Sequence, residues 1–559
     1  MRSKKKEIFV FTIIVILQLL IIMYWANAKQ NYFIDELYSM GYVSSYTGNG
    51  DTAKYITTSD DFKFNEWVEN SNYKKYLLLS DEESLFRMPF YKAIGKILTG
   101  RNYFGLLNIA ESIYGYDHVS QVPALVLNVI LLILTEILLI VLMNRLNIAK
   151  EIQFLSIAMF GFSSFVITHV EYIRFYMLVM MYFVLSLILL HNMWIETGMR
   201  KFIFEEICFL LIIYLMYKNS EFAIIYFGAI SICFFAGLIF LKQKIKSIVY
   251  GVSIAISGII AVIGTGKLDI LLHPNDYISE SESKVSASIA LQLHSPSLDD
   301  IKDCLKWITE LFRDGYFGSW IIVFACVIAV TVYIILKSKK EVKGISETIG
   351  KPVKPDWNKF GMNAYFICIL LGATTIFTAF VAWSGLEKWR YYCLGFSMIV
   401  ISLWYLVDRL IKKTAPENSV KGVYRIIAVC VLISAIIPFK ARNIEYLYEN
   451  DASMINEVNK YNTLDTVLVT RAYGDSSLNT KRHETYDCVN LMSSESNIYA
   501  VNLNDYSYDS VDFPEKDFVL WRSTKRDISA VINDLTEHGY VVESLGRDHC
   551  SEAYICRKE

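Results

Sequence analysis

The sequence lacks several features that mark common functional classes. Its formal net charge is only −2, so no overall electrostatic field favours nucleic acid as a partner. The ten cysteines form no CxxC motif, and no histidine-rich stretch indicates a metal-binding module. We find no internal repeat, so a repeat architecture is not expected. The character of the chain is set instead by its apolar side chains.

Hydrophobic residues make up 54% of the 559 residues, and aromatic residues make up 14%. This composition is too apolar for a soluble protein of that length. Apolar runs of about twenty residues, long enough to cross a bilayer, recur along the chain. We therefore predict a polytopic α-helical membrane protein with eleven spans. The spans are predicted at residues 8–25, 121–143, 152–168, 177–195, 203–217, 222–241, 247–267, 318–336, 363–384, 391–411 and 423–439.

Lysine and arginine in the connections predict the orientation of the spans. These cations cluster at residues 2–6, 145–150, 200–201, 242–246, 337–359 and 412–413. One topology places every cluster in the cytoplasm with the N-terminus, and it makes 337–359 a cytoplasmic linker. Residues 26–28 resemble a signal-peptide cleavage site, but the preceding apolar run is long enough to span. We expect an uncleaved anchor in a multi-pass cell-membrane protein.

The same topology predicts two domains. Residues 1–439 form a transmembrane domain with two large outer loops, 29–118 and 268–317. Residues 440–559 form an extracytoplasmic α/β domain, because short apolar runs alternate there with polar stretches. Strands are predicted at 466–470, 497–501, 517–521 and 540–545, and helices at 444–461 and 527–538.

The outer segments hold further local signals. Residues 89–98 are predicted to form an amphipathic helix on the membrane surface. A helical pattern also surrounds residues 301–312, after a polar stretch at 275–288. A disulfide from Cys488 to either Cys550 or Cys556 is compatible with the sequence, and the spacing does not choose between them.

Two adjacent carboxylates, Asp35 and Glu36, follow the first apolar run on its predicted outer side. Aromatic residues surround them, as at a membrane-surface site for a lipid-linked, hydroxyl-rich substrate. A carboxylate there can accept a proton from an attacking hydroxyl. The alternative is a solvated turn after a membrane anchor. The pair could also hold a divalent metal such as Mg²⁺ or Mn²⁺, although we expect no obligatory metal and no other cofactor.

Two short outer connections carry candidate ligands for an anionic lipid headgroup. The first holds His169, Glu171, Arg174 and Tyr176, and the second holds Lys388, Arg390 and Tyr391. A guanidinium binds phosphate well because its planar fork donates two parallel hydrogen bonds. The alternatives are an arginine that snorkels to lipid headgroups and an interfacial aromatic belt with chance cations.

The order of these parts resembles the GT-C superfamily of membrane glycosyltransferases, in the branch of protein O-mannosyltransferases and the lipid A aminoarabinose transferase. That branch has an Asp-Glu pair in its first outer loop, matched by Asp35 and Glu36. Many relatives have a Gln-Glu-Ala-Arg-x-Tyr motif, in which Arg174 and Tyr176 align while the glutamate, Glu171, is displaced by one. A late Arg-Tyr is matched by Arg390 and Tyr391. The resemblance covers about residues 8–411.

Other family motifs are only partly present. In place of a His-Pro-Pro-Leu-Tyr-Tyr-like segment, residues 87–91 keep one proline and one tyrosine, and residues 121–123 lack the arginine of an Arg-x-Pro entry. The resemblance implies a polyprenyl-phosphate-linked monosaccharide as donor, entering from the membrane lipids. It implies transfer on the outer face to a protein, glycolipid or polysaccharide of the envelope. No glycine-rich phosphate loop is present, which fits a donor that is not a nucleotide.

Glu136 lies within a predicted span, where a charge is costly and indicates a partner or a function. A proton-coupled transporter would use such a residue. The alternatives to an enzyme are therefore a flippase or transporter of lipid-linked sugars, or a non-catalytic protein of cell-envelope assembly.

Overall fold

The computed structural model describes residues 2–44, 64–71, 77–115, 119–220, 222–264, 298–341, 361–383, 388–441, 443–470 and 494–559. Several sequence predictions fall outside these residues. They are the polar stretch 275–288, most of the linker 337–359, and the disulfide partner Cys488.

The described chain is mainly helical, and eight of its helices are long and apolar enough to cross a membrane. They are Lys4–Ala28, Val122–Arg145, Tyr176–Ile195, Phe222–Phe240, Trp320–Lys337, Met362–Ala382, Trp389–Thr414 and Ser419–Ile437. The number rises to nine if Lys150–Phe162 and Ser164–Glu171, which meet at a bend of 54°, form one span. Ser163 makes this break because its backbone is extended (φ −69°, ψ 140°).

Helices also form at the other two predicted spans, Met199–Asn219 and Lys244–Gly264. Neither is among the eight, so the described residues are consistent with a polytopic helical protein and show eight or nine candidate spans where eleven were predicted. Met199–Asn219 carries two buried carboxylates, Glu205 and Glu206. Asn192 Nδ2 donates to Glu205 Oε1 at 3.0 Å, and the Ser253 hydroxyl donates to Glu206.

The chain divides into two compact units. The helical unit comprises Met1–Ile21, Asn128–Val170 and Phe175–Ile444. The sheet unit comprises Ile22–Leu127, Glu171–Arg174 and Glu445–Glu559. The sheet unit thus joins much of the first predicted outer loop, four residues of a later connection, and the predicted C-terminal domain.

The described residues of the sheet unit form a mixed sheet of six strands. Its strands are β1 (Trp67–Glu69), β2 (Thr466–Thr470), β3 (Asn497–Asn502), β4 (Phe518–Ser523), β5 (Tyr540–Arg547) and β6 (Ser551–Lys558), in the order β1-β3-β2-β4-β6-β5. β2 runs parallel to β3 and β4, and the other pairs are antiparallel. The four predicted strands are confirmed as β2 to β5.

Two strands and one helix boundary differ from the prediction. The sequence did not predict β1 or β6. Of the helix predicted at 444–461, only Ala452–Val458 is α-helical, flanked by 3₁₀ turns, while residues 444–448 form a non-helical turn. The helix predicted at 527–538 is present as Ser529–Glu537, and its buried Val531 and Leu535 belong to the core beneath β2 and β4.

The remaining helices of the sheet unit are short. They are Ile34–Ser44, Phe90–Thr99 and Asn102–Tyr114. Phe90–Thr99 confirms the helix predicted at 89–98, and its large apolar side chains Phe90, Tyr91 and Leu98 are exposed. In the helical unit, Leu298–Glu310 followed by the π-helical turn Leu311–Phe317 confirms the helix predicted around 301–312.

Candidate functional site

The two predicted catalytic carboxylates lie in the first turn of helix Ile34–Ser44, in the sheet unit. The backbone N–H of Glu36 donates to the Phe33 carbonyl at 2.8 Å, which closes the first turn. Carboxylates are favoured at this end of a helix because its unpaired N–H groups carry positive partial charge. Although adjacent in sequence, the two side chains enter very different environments.

Glu36 is fully buried and bonded on both oxygens. Its Oε1 lies 2.5 Å from Lys29 Nζ and accepts the Ile173 N–H at 2.9 Å. Its Oε2 accepts the Phe33 N–H at 2.8 Å. The carboxylate therefore ties the start of the acidic helix to Lys29 and to the segment Glu171–Arg174. These contacts give Glu36 a positioning role and leave it poorly placed to meet a substrate.

Lys29 was not among the residues predicted from the sequence. Its Nζ is nearly inaccessible, donates to the Glu171 carbonyl at 3.0 Å, and lies 5.6 Å from the centre of the Tyr32 ring. Burial, and then the negative charge of Glu36, raise the pKa of the Tyr32 phenol. From the sequence, a lysine directly after a predicted membrane span is expected to bind lipid headgroups. Its buried contact with Glu36 becomes visible only in the folded structure.

Asp35 is the accessible member of the pair, with 22% of its side chain exposed. The Tyr172 hydroxyl donates to Asp35 Oδ2 at 2.9 Å, and the Arg174 guanidinium lies 3.5 Å from Oδ1. A second guanidinium nitrogen donates to Ser39 Oγ at 3.4 Å. Asp35 is thus held from two sides by groups that orient it, and part of its side chain is exposed.

Glu171 occupies the same neighbourhood but is buried. Neither of its carboxylate oxygens has a hydrogen-bond partner among the described residues. Its backbone carbonyl, by contrast, receives the Lys29 ammonium. Of the predicted substrate-binding residues, Arg174 therefore contacts Asp35 directly, whereas Glu171 is linked to Glu36 only through Lys29.

The tyrosine that donates to Asp35 belongs to a stack of aromatic rings. The rings of Tyr172 and Tyr446 lie 4.3 Å apart and nearly parallel, at 11°, and Phe33 packs 5.4 Å from Tyr446. Tyr446 and Tyr448 both have positive φ, at 65° and 52°. Bulky residues seldom adopt this conformation, and it is found preferentially at functional sites. This stack could not be predicted from the sequence, because its members lie far apart along the chain.

The other predicted ligands lie in the helical unit. The His169 ring is 4.3 Å from Phe165 and 5.7 Å from Tyr176, and Phe165 is 6.0 Å from Trp389. The next residue, Arg390, lies over the Tyr391 ring at 5.0 Å. These contacts place His169 and Tyr176 close to the segment that carries Arg390.

Lys388, which precedes this segment, is exposed. It therefore differs from Arg390, which is partly buried and packed on an aromatic ring. Of the two predicted cations on this connection, Arg390 is held in a defined geometry and Lys388 faces solvent.

Glu136 has a structural partner in the helical unit. It is fully buried, and Gln18 Nε2 donates to its Oε1 at 2.8 Å and to the Ile157 carbonyl at 3.2 Å. Gly161 makes room for this contact, since a Cβ there would lie 2.1 Å from Gln18 Nε2. This interhelical hydrogen bond gives Glu136 a structural partner on Oε1, whereas Oε2 is buried and has none among the described residues.

Asp35 and Glu36 do not belong to a three-residue metal cluster within the described ranges. The group of potential ligands found there is Asp548, His549 and Cys550, at the turn between β5 and β6. Comparison with known proteins adds no assignment: no family model matches the chain, and no curated protein matches it.

Proposed function

We propose that the protein is a GT-C-type membrane glycosyltransferase. It would move a monosaccharide from a polyprenyl-phosphate-linked donor to an envelope acceptor, on the outer face of the membrane. The observation that carries the proposal is the pairing of an accessible Asp35, oriented by Tyr172 and Arg174, with a buried Glu36. A carboxylate held in this way is suited to act as a general base.

In the proposed reaction, the acceptor hydroxyl attacks the anomeric carbon of the donor sugar as its proton passes to Asp35. The bond between that carbon and the lipid phosphate oxygen breaks, and the departing polyprenyl phosphate keeps the electron pair. Its growing negative charge is stabilised by cations. Arg174 and Arg390 are the guanidinium groups proposed for this role, with His169, Tyr176, Lys388 and Tyr391 as further contacts to the donor.

Arg174 has two tasks in this proposal. It lies against Asp35 and Ser39. A lipid phosphate would compete for the same guanidinium, and its arrival would weaken the hold on Asp35. Donor binding would then release the carboxylate for proton transfer, which couples the two halves of the reaction through one side chain.

The sidedness is part of the proposal. Cationic connections favour a cytoplasmic N-terminus, and this orientation would put the acidic helix and residues 440–559 outside. The donor would enter laterally from the bilayer, so its sugar meets Asp35 at the membrane surface. The acceptor would approach from the envelope side.

The test is mass spectrometry of cell-envelope glycans in cells with and without the protein. Loss of one monosaccharide from a glycan, restored by the parent protein but not by Asp35→Asn, is the expected result. Asp509→Asn serves as the matched control, because Asp509 is exposed in the sheet unit. Identical glycans in all strains, with equal protein levels, would contradict the proposal.

A further inference from the structure

The turn between β5 and β6 gathers three metal-ligating side chains that the proposed transfer does not use. Ligand atoms of Asp548, His549 and Cys550 all lie within 4.8 Å of one another. The turn is tightly hydrogen-bonded. Asp548 accepts the Cys550 N–H at 2.8 Å and the Ser551 hydroxyl at 2.7 Å. The three side chains are therefore presented from one fixed backbone loop.

His549 has a carboxylate partner on one ring nitrogen, as many metal-binding histidines do. Its Nδ1 donates to Asp451 Oδ2 at 2.7 Å, and its ring stacks on Tyr448 at 3.7 Å and 19°. A ring that donates through Nδ1 keeps its lone pair on Nε2, which is the arrangement of carboxylate–histidine–zinc sites. Nε2 is buried and has no hydrogen-bond partner within the described part of the chain.

We propose that Asp548, His549 and Cys550 bind one Zn²⁺ ion, with Nε2 as the histidine ligand. A carboxylate oxygen, an imidazole nitrogen and a thiolate form a donor set that zinc accepts. Tetrahedral ligands at 2.0–2.3 Å from zinc stand about 3.3–3.8 Å apart. The three ligand atoms lie within 4.8 Å of one another, so zinc would have to draw them closer by side-chain rotation, with water completing the tetrahedron.

The site is connected to the acidic helix. Asp451 accepts a hydrogen bond from Asn31 Nδ2 at 2.9 Å on the same oxygen that receives His549. Asn31 in turn accepts the Tyr32 N–H at 2.9 Å. Zinc would fix the position of the His549 ring, and the ring would then fix its hydrogen-bond partner Asp451. Because Asp451 also binds Asn31, the segment that leads into Asp35 would be restrained as well. The metal is thus a structural support for this part of the sheet unit, whatever reaction the protein performs.

The experiment is equilibrium dialysis of the full-length protein, in nanodiscs and without a polyhistidine tag, against ZnCl₂, followed by elemental analysis. We expect one Zn²⁺ per chain in the parent. His549→Gln and Cys550→Ser should lose it, and Asp451→Asn should weaken it about 10–100-fold, as for other partners of metal-bound histidines. Co²⁺ in place of Zn²⁺ should give a thiolate-to-cobalt charge-transfer band that Cys550→Ser removes.

His538→Gln is the matched control. His538 also stacks on a tyrosine, Tyr508, at 3.6 Å, but its Nδ1 contacts the Asp534 backbone carbonyl and the ring is exposed. This variant should bind zinc like the parent. Circular dichroism of each variant shows that it is folded. Zinc retained by His549→Gln, no zinc in the parent, or a Cys550 locked in a disulfide would overturn the proposal. Neither donor nor acceptor is needed, so failure of the proposed transfer would leave this result unaffected.

Discussion

Lys29 Nζ and Glu36 Oε1 lie 2.5 Å apart, and both side chains are almost completely buried. Removing one partner of such a pair leaves an uncompensated charge in a low-dielectric site, at a cost of about 3–5 kcal/mol. We predict that Glu36→Gln lowers the Tm of the purified protein markedly. Lys29→Met combined with Glu36→Gln should recover part of the loss, because no buried charge remains.

Thermal unfolding followed by circular dichroism measures this effect. Asp35→Asn is the matched control, since it alters the adjacent and more exposed carboxylate without touching Lys29. An unchanged Tm in Glu36→Gln would show that the ion pair contributes nothing to folding. A double variant no more stable than the single one would argue against charge burial as the cause.

Tyr172→Phe removes the hydroxyl that donates to Asp35 while keeping the ring that stacks on Tyr446. A hydrogen bond to a charged group contributes roughly 1.5–3 kcal/mol. We therefore expect transfer to fall about ten- to a hundredfold, with donor affinity nearly unchanged. Single-turnover kinetics with saturating donor separates the two quantities. A Tyr172→Phe variant as fast as the parent would remove the hydroxyl from the account.

Arg174→Ala and Arg390→Ala should each lower transfer about ten- to a hundredfold, because each would lose the proposed charge-assisted contact to the donor phosphate. Arg→Lys at either position should not be conservative, since lysine lacks the planar fork. Lys388→Ala, at an exposed position, should have a smaller effect. Donor-dependence kinetics in nanodiscs tests this. If both alanine variants match the parent, the phosphate is held elsewhere. The next candidates are His169 and Lys92, a lysine of helix Phe90–Thr99.

The carboxyl of Glu111, in helix Asn102–Tyr114, should make the stability of the folded protein depend on pH. Burial raises the pKa of its carboxyl to about 8, above the ordinary value of 4.5. The folded chain therefore keeps a proton that the unfolded chain has lost, and stability falls as the pH rises from 4.5 towards 8. Glu111→Gln should unfold at a higher temperature than the parent at pH 8, with the difference shrinking at pH 5. A difference independent of pH would exclude this titration.

The sequence predicted elements whose signal is local. The buried strand β2 (Thr466–Thr470) is a short run of β-branched and apolar residues, and its position follows directly from that pattern. β6 was missed because Ser551, Glu552, Arg557 and Lys558 surround its apolar centre. β1 has only three residues, and it is a strand because it pairs with β3 more than four hundred positions away.

The same limit applies to the candidate site. The acidic pair could be recognised from the sequence, but the two roles could not be told apart. They differ because residues 171–174 place a backbone N–H on Glu36 and a phenol on Asp35. The position of Tyr446 depends on a turn with positive φ, for which its sequence holds no glycine or asparagine signal. Tertiary contacts, which no local pattern encodes, decide both.

The proposed glycosyltransferase activity is tested most directly with the purified full-length protein in nanodiscs. The assay supplies a radiolabelled polyprenyl-phosphate sugar as donor and an envelope extract as acceptor. The parent should transfer label. Asp35→Asn should abolish transfer while leaving expression and Tm intact and donor binding no weaker, because it removes the proposed base and frees Arg174 for the phosphate. Substantial transfer by folded Asp35→Asn, or none by the parent with donor bound, would contradict the account.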